Sequence, residues 1–349
     1  MSDKPARPSI TFPVDERWLA AHVEDAIEPE RPIVDPHHHL WDRQQRYLFD
    51  ELLRDINAGH NILATVYLQC GSMYRADGDP AYASVGETEF VNGVAAMAAS
   101  GGYGKLRACA GIVGHADLQR LGTAVEPVLE AHLRAGGGRF RGIRNSSVWD
   151  ADQSIATVPT PPPQGLLGDA RFRAGFARLA KLGLSFDAWL YHPQIGELAA
   201  LARAFPDTTI IIDHVGAPLG IGAYQGRRAE VFELWRDAIR DIARCPNVSV
   251  KLGGLGMKVM GFGFEDKEQP PASEALARAW RPYLETCIEA FGVDRAMFES
   301  NFPVDKQSCS YAVLWNAFKR FAASYSEAEK HALFCGTACR VYRIDAISR

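Results

Sequence analysis

"TTIIIDHVGAP", residues 208–218, sets three isoleucines between two threonines and an Asp-His pair that leads into a glycine and a proline. A run that is apolar at every position, not every second one, is what a strand buried on both faces requires. Seven more short runs share that form: "PIVD" (32–35), "ILATVYLQC" (62–70), "LRACAGIV" (106–113), "FRGIR" (140–144), "LSFDAWLY" (184–191), "VSVKLG" (248–253) and "AMFES" (296–300). Between them lie segments with apolar residues at three- and four-residue steps. "DARFRAGFARLAKLG" opens on an Asp suited to N-capping and closes on a Gly suited to a C-cap, and "QIGELAALARAFP" stops at Pro206. Eight strand–helix alternations predict an α/β fold, a (β/α)8 TIM barrel over residues 32–349. Residues 1–31 hold a short helical stretch, "DERWLAAHVEDAI", expected to pack on the barrel as an N-terminal extension. Two long connections, "SVWDADQSIATVPTPPPQG" (147–165) and "GGLGMKVMGFGFEDKEQPPAS" (253–273), follow predicted strands. Both therefore belong to the face where barrel active sites sit, either as substrate-covering loops or as surface insertions.

Composition narrows the function. The 349 residues are 47% hydrophobic and 23% charged with a net charge of -4, so no global basic field draws nucleic acid or anionic lipid. No apolar stretch approaches the ~20 residues a membrane span needs. The first residues lack an apolar leader core, and the seven cysteines show no CxxC spacing. Reduced thiols and a cytoplasmic location are the expectation.

The histidines then carry the argument. His37 and His39 lie two apart beyond the first run, so alternation points both to one side and His38 to the other. His192 follows the fifth run and His214 the sixth. In a closed barrel these four converge on one mouth. Neutral imidazole ligates zinc well, and an i, i+2 pair can grip one ion.

"IVDPHHHLWD", "RGIRN", "IIIDHVGAP" and "MFESNFPVDK" together resemble the amidohydrolase-related (amidohydrolase 2) family of metal-dependent-hydrolase-like TIM barrels, over about residues 32–342. The first motif is similar to the branch containing sugar lactonases and pyrone dicarboxylate lactonase; sister branches are non-oxidative decarboxylases of aromatic acids. The resemblance implies that His37 and His39 are the first-strand pair, and that His192 stands at the fifth-strand metal position of zinc-containing members. It makes His214 the sixth-strand histidine and Arg144 a contact for a substrate carboxylate or sugar. One departure stands out. Lactonases of this family read Gly-Ser-Asp-Trp-Pro at the eighth strand, and this chain reads "ESNFP". Asn301 thus replaces a carboxylate with an amide, which accepts no proton near neutral pH and ligates metal weakly. Glu299, two residues earlier, and Asp305, past the proline, are the nearest carboxylates.

Two mechanisms compete. In one, His37, His39 and His192 hold Zn²⁺ or another divalent ion with water in the open position, and His214 moves protons. In the other no metal binds, and the cluster acts by general acid–base catalysis and hydrogen bonding. Asn301 and Asp305 complete the expected catalytic set. Arg144, Gln69, Tyr191, Tyr74 and Trp41 form the expected binding pocket, amphipathic and suited to a cyclic ester or carboxylate. Lys251 sits inside an apolar run, where a lysine needs an acidic partner or a role. The expected activity is hydrolytic opening of a lactone. Aromatic decarboxylation on the same barrel, or a silent barrel that only binds, are the alternatives. A homodimer is the default for such a barrel.

Overall fold

The computed structural model describes residues 14–43, 45–158 and 160–345. Eight parallel strands form one nearly closed barrel: Pro32–His38 (β1), Asn61–Leu68 (β2), Arg107–Gly114 (β3), Phe140–Ser146 (β4), Ser185–Trp189 (β5), Ile210–Ile212 (β6), Val248–Leu252 (β7) and Ala296–Phe298 (β8). Each pairs with its sequence neighbour, and helices alternate with them as the periodicity predicts. Helices Ala170–Lys181, Ile195–Ala204, Arg228–Ile242 and Ser273–Phe291 each turn an apolar face to the sheet. The seam between β8 and β1 is closed by the chain just past β8: Phe302 bridges His38, His37 O accepts from Asn301 N at 2.9 Å, and Phe302 O accepts from His39 N at 2.8 Å. Among the described residues no helix is long and apolar enough to cross a membrane.

Burial falls into three layers. The largest core lies between strands and helices. A second fills the barrel interior from below, where Val34, Val66, Ile211 and Met297 meet Ala338 and Tyr342 of the C-terminal segment. The third caps the mouth: Val148 and Ile155 of one long connection pack with Met257, Val259 and Met260 of the other around Trp189, Tyr191 and Leu219. The described parts of the two long connections are thus packed structure joined over the strand ends.

The N-terminal segment differs from its pattern. Its helix covers only Glu16–Leu19, capped by Asp15. Beyond it the chain runs out to tertiary partners instead, with Glu24 accepting from Ser273 N at 2.7 Å and Ile27 N donating to Asn316 Oδ1 at 2.8 Å. Bonds to distant helices outweigh a helical preference that a four-turn segment holds only weakly.

Candidate active site

β1 delivers the first site residues. Past Pro32 every residue of it is buried, and the pleat separates its histidines as expected. His38 Nε2 pairs with Thr65 Oγ1 at 2.8 Å, whereas His37 Nε2 and His39 Nε2 lie 3.2 Å apart. His39 donates through Nδ1 to Leu68 O at 2.8 Å and stacks on Trp41, ring centroids 5.9 Å apart. Asp35, beneath them, accepts from Ser300 N at 2.9 Å and from the Tyr311 hydroxyl at 3.0 Å, which ties β1 to the end of β8. Burial pushes its carboxyl up to about 6.

The end of β6 delivers His214. Its Nδ1 lies 2.7 Å from Glu299 Oε1, and its backbone N–H donates to the same oxygen at 3.1 Å. Burial pushes the ring down to about 3, so it is neutral at pH 7. With Nδ1–H given to Glu299, Nε2 keeps the lone pair. Trp189 meets the ring edge to face at 4.9 Å, and His37 lies 4.5 Å from it between centroids. His214, Val215 and Asn301 all have left-handed backbone, at φ of 55°, 50° and 54°. Such conformations persist in non-glycine residues when the surroundings over-determine them, and they gather at functional sites. Gly254 is one such constraint: a Cβ there would stand 2.5 Å from the His214 ring.

Inside the barrel lies an ionic cluster. Lys251 of β7 is fully buried and reaches Asp187 Oδ1 at 2.8 Å, Asp213 Oδ1 at 2.9 Å and His37 Nδ1 at 3.1 Å. Burial works against its ammonium, but Asp187, Asp213 and Glu299 outweigh that and raise its pKa. Tyr342 donates its hydroxyl to Asp187 Oδ1 at 2.5 Å from the barrel floor. Arg144, at the end of β4, places Nη1 at 3.3 Å from His37 Nε2 and 3.6 Å from Asp213 Oδ2, while Nη2 bonds the Gln69 carbonyl.

The structure therefore gathers His37, His39, His214, Arg144 and Gln69, with Trp41 against His39. His192 stands apart: its Nδ1 accepts from Leu219 N at 3.3 Å and its ring meets Tyr224 at 5.2 Å. Among the described residues no hydrogen bond or ring contact joins it to the other three histidines. The Tyr191 hydroxyl donates to Ile155 O at 2.9 Å and so anchors a long connection, and Tyr74 is exposed. Asp305 accepts from Asn301 Nδ2 at 2.8 Å and from Gly256 N at 2.9 Å, and burial pushes it up to about 8. Asn301 is thus engaged with Asp305, and Glu299 is the carboxylate that meets a histidine. Asp187, Asp213 and Tyr342 escaped the sequence reading. The signal for the two aspartates was available, because an acid inside an apolar run must find a cation, and "VSVKLG" holds one.

The amidohydrolase family profile (Amidohydro_2) matches residues 34–344. The chain belongs to the amidohydrolase family. It is 35% identical over 335 residues to the uncharacterized protein y4mH of Sinorhizobium fredii, covering 89% of this chain and 98% of that protein. It is 29% identical over 236 residues to an L-fucono-1,5-lactonase of Burkholderia multivorans, covering 67% and 72% of the two chains. A crystal structure of a B. multivorans amidohydrolase with bound Zn superposes with a TM-score of 0.68 at 25% identity, covering 89% of this chain and 99% of that one.

Zinc can be tested against the residues of this amidohydrolase. His37, His214 and Glu299 bring donor atoms within 4.8 Å of one another, and two imidazoles with one carboxylate suit a catalytic zinc. Glu299 Oε2 is buried without a hydrogen bond; it lies 2.7 Å from His37 Nδ1, but the alignment is not that of a hydrogen bond. Charge argues the other way. A neutral imidazole has one lone pair. If His37 carries it on Nδ1, Lys251 is there at 3.1 Å; if on Nε2, Arg144 is there at 3.3 Å. In either tautomer a fixed cation already faces it. The residues match zinc in type and spacing, but as arranged they do not fit it.

Proposed function

We propose that this amidohydrolase opens a lactone or related cyclic ester with water, the barrel of residues 32–349 serving as one catalytic unit. The observation that carries the reading is the His214–Glu299 pair, 2.7 Å apart at the strand ends. Glu299 holds the imidazole in the tautomer whose Nε2 can take a proton from water, the logic of a histidine oriented by a carboxylate. The hydroxide so formed adds to the ester carbonyl. The Arg144 guanidinium, an obligate cation with a fork of donors, stabilises the oxyanion. Collapse of the tetrahedral intermediate breaks the ring C–O bond, and the proton held at His214 passes to the departing alkoxide. The product is an open-chain hydroxy acid. The lactonase relative supports the substrate class, and Gln69 and Trp41 are the polar and aromatic groups offered to it.

Acid release in a pH-stat from a panel of sugar and aromatic lactones tests the reading, with Glu299→Gln as control. Turnover of at least one lactone is expected, reduced by Glu299→Gln about 10²- to 10⁴-fold, the usual contribution of general acid–base catalysis. Carbon dioxide release from an aromatic carboxylate with no lactone turnover would overturn it in favour of decarboxylation.

A further inference from the structure

We infer that Lys251 is a resident cation that takes the place of a divalent metal at this site, so that the wild-type chain excludes metal there. The inference rests on the hydrolytic reading only for its consequence, not for its evidence.

Three features support it. First, the ammonium has three N–H donors, and around it lie Asp187 Oδ1 at 2.8 Å, Asp213 Oδ1 at 2.9 Å and, as an acceptor in the tautomer with its lone pair on Nδ1, His37 at 3.1 Å. In that tautomer no donor is left over. Second, the cage is closed. Lys251, Asp187, Asp213 and His37 are all 0% exposed, and the Tyr342 ring lies 5.4 Å from Nζ on the floor side. Third, the surroundings hold charge in excess of this one cation. Asp187 Oδ2, Asp213 Oδ2 and Glu299 Oε2 are buried without hydrogen bonds, and among the described residues the other cation in contact is Arg144, 3.6 Å from Asp213. Two aspartates and an imidazole, donors of the kind a divalent ion takes, surround one buried centre, and here an ammonium fills it.

The consequence is positional. While Lys251 and Arg144 face its two nitrogens, His37 is held in place without serving as a metal ligand. Lys251 thereby acts as a positioning residue: it fixes His37, whose ring packs on His214, and it never meets the substrate.

Replacing the ammonium by an apolar group of similar length should uncover the latent ligand set. The experiment is titration of metal-stripped protein with Co²⁺ and Zn²⁺, reading the cobalt d–d absorption and the bound stoichiometry. Wild type is expected to bind far less than one ion per chain. Lys251→Met should bind one, with affinity raised by about 10- to 100-fold or more, the scale on which groups beside metal ligands act. Lys251→Arg, which keeps a cation, should stay metal-poor. Stoichiometric, tight binding by wild type, unchanged in Lys251→Met, would overturn the inference. If Lys251→Met fails to fold, the wild-type titration alone decides, since stoichiometric binding there overturns it and its absence supports it. None of these readouts needs a substrate, so a failed lactone panel leaves the result standing.

Discussion

Asn301 shows how much one atom can decide. Its amide nitrogen donates to Asp305 Oδ1 at 2.8 Å in a fully buried pair. Asn301→Asp would set two carboxyls face to face, one of which burial already pushes up to about 8. The variant should lose about 1–3 kcal/mol of stability at pH 8, because it exchanges a donor for a like charge beside a buried acceptor. Acidification protonates the pair, so the loss should shrink toward pH 5; urea unfolding at both values measures it, and an equal loss at both would refute the account. The departure at Asn301 could be read directly from "ESNFP". Its consequence could not, because Glu299 is joined to His214 only through the fold. The same limit applies to His192. Its place after β5 made it an expected ligand, yet whether its ring turns to the axis or to Tyr224 depends on φ and ψ over two or three residues, which sequence spacing does not set.

Among the elements, strands were easier to foresee than what they carry. Continuous apolar runs located all eight strands, because both-face burial leaves a pattern that few other environments produce. Helix starts were similarly plain: Asp169 caps Ala170–Lys181 through Phe172 N at 2.8 Å. The long connections left no such trace. Their packing against each other depends on scattered residues such as Ile155 and Met260, which no period links. The turn after β7 bears a constraint that acts on the site itself. Gly254 has φ +67° and faces His214, and an added Cβ would lie 2.5 Å from its ring. Gly254→Ala should cost about 1–3 kcal/mol through backbone strain and should lower kcat more than it raises KM, since the ring is displaced and not the pocket. Thermal unfolding beside steady-state kinetics would show this, and unaltered kcat in a folded variant would contradict it.

The whole molecule should be sensitive to acid. Burial pushes His37, His60, His132 and His192 down to about 4, and His38 and His214 down to about 3. Between pH 6.5 and 4 the unfolded chain binds protons at these rings that the folded chain does not, so stability falls as pH drops. Asp35 and Asp187, raised to about 6, and Asp305, raised to about 8, act oppositely, holding protons in the fold that the unfolded chain has released. His39 is depressed as well, so seven histidines cost stability on acidification; they outweigh the raised carboxyls named, and the net effect is a loss. The melting temperature should therefore decline from pH 7 to pH 4.5; a flat or rising profile would contradict the assignment of neutral, buried rings.

The seam of the barrel links chemistry to the order of synthesis. His37 and His39 leave the ribosome ahead of the Asn301 and Phe302 contacts that fasten β1 and of the Tyr342 hydroxyl beneath Asp187, which come almost three hundred residues later. A nascent polypeptide halted before residue 296 would hold both imidazoles and the lysine but neither Glu299 nor a closed wall. The Glu299 partner of His214 and the bridge that closes the wall are thus both added at one late moment of translation.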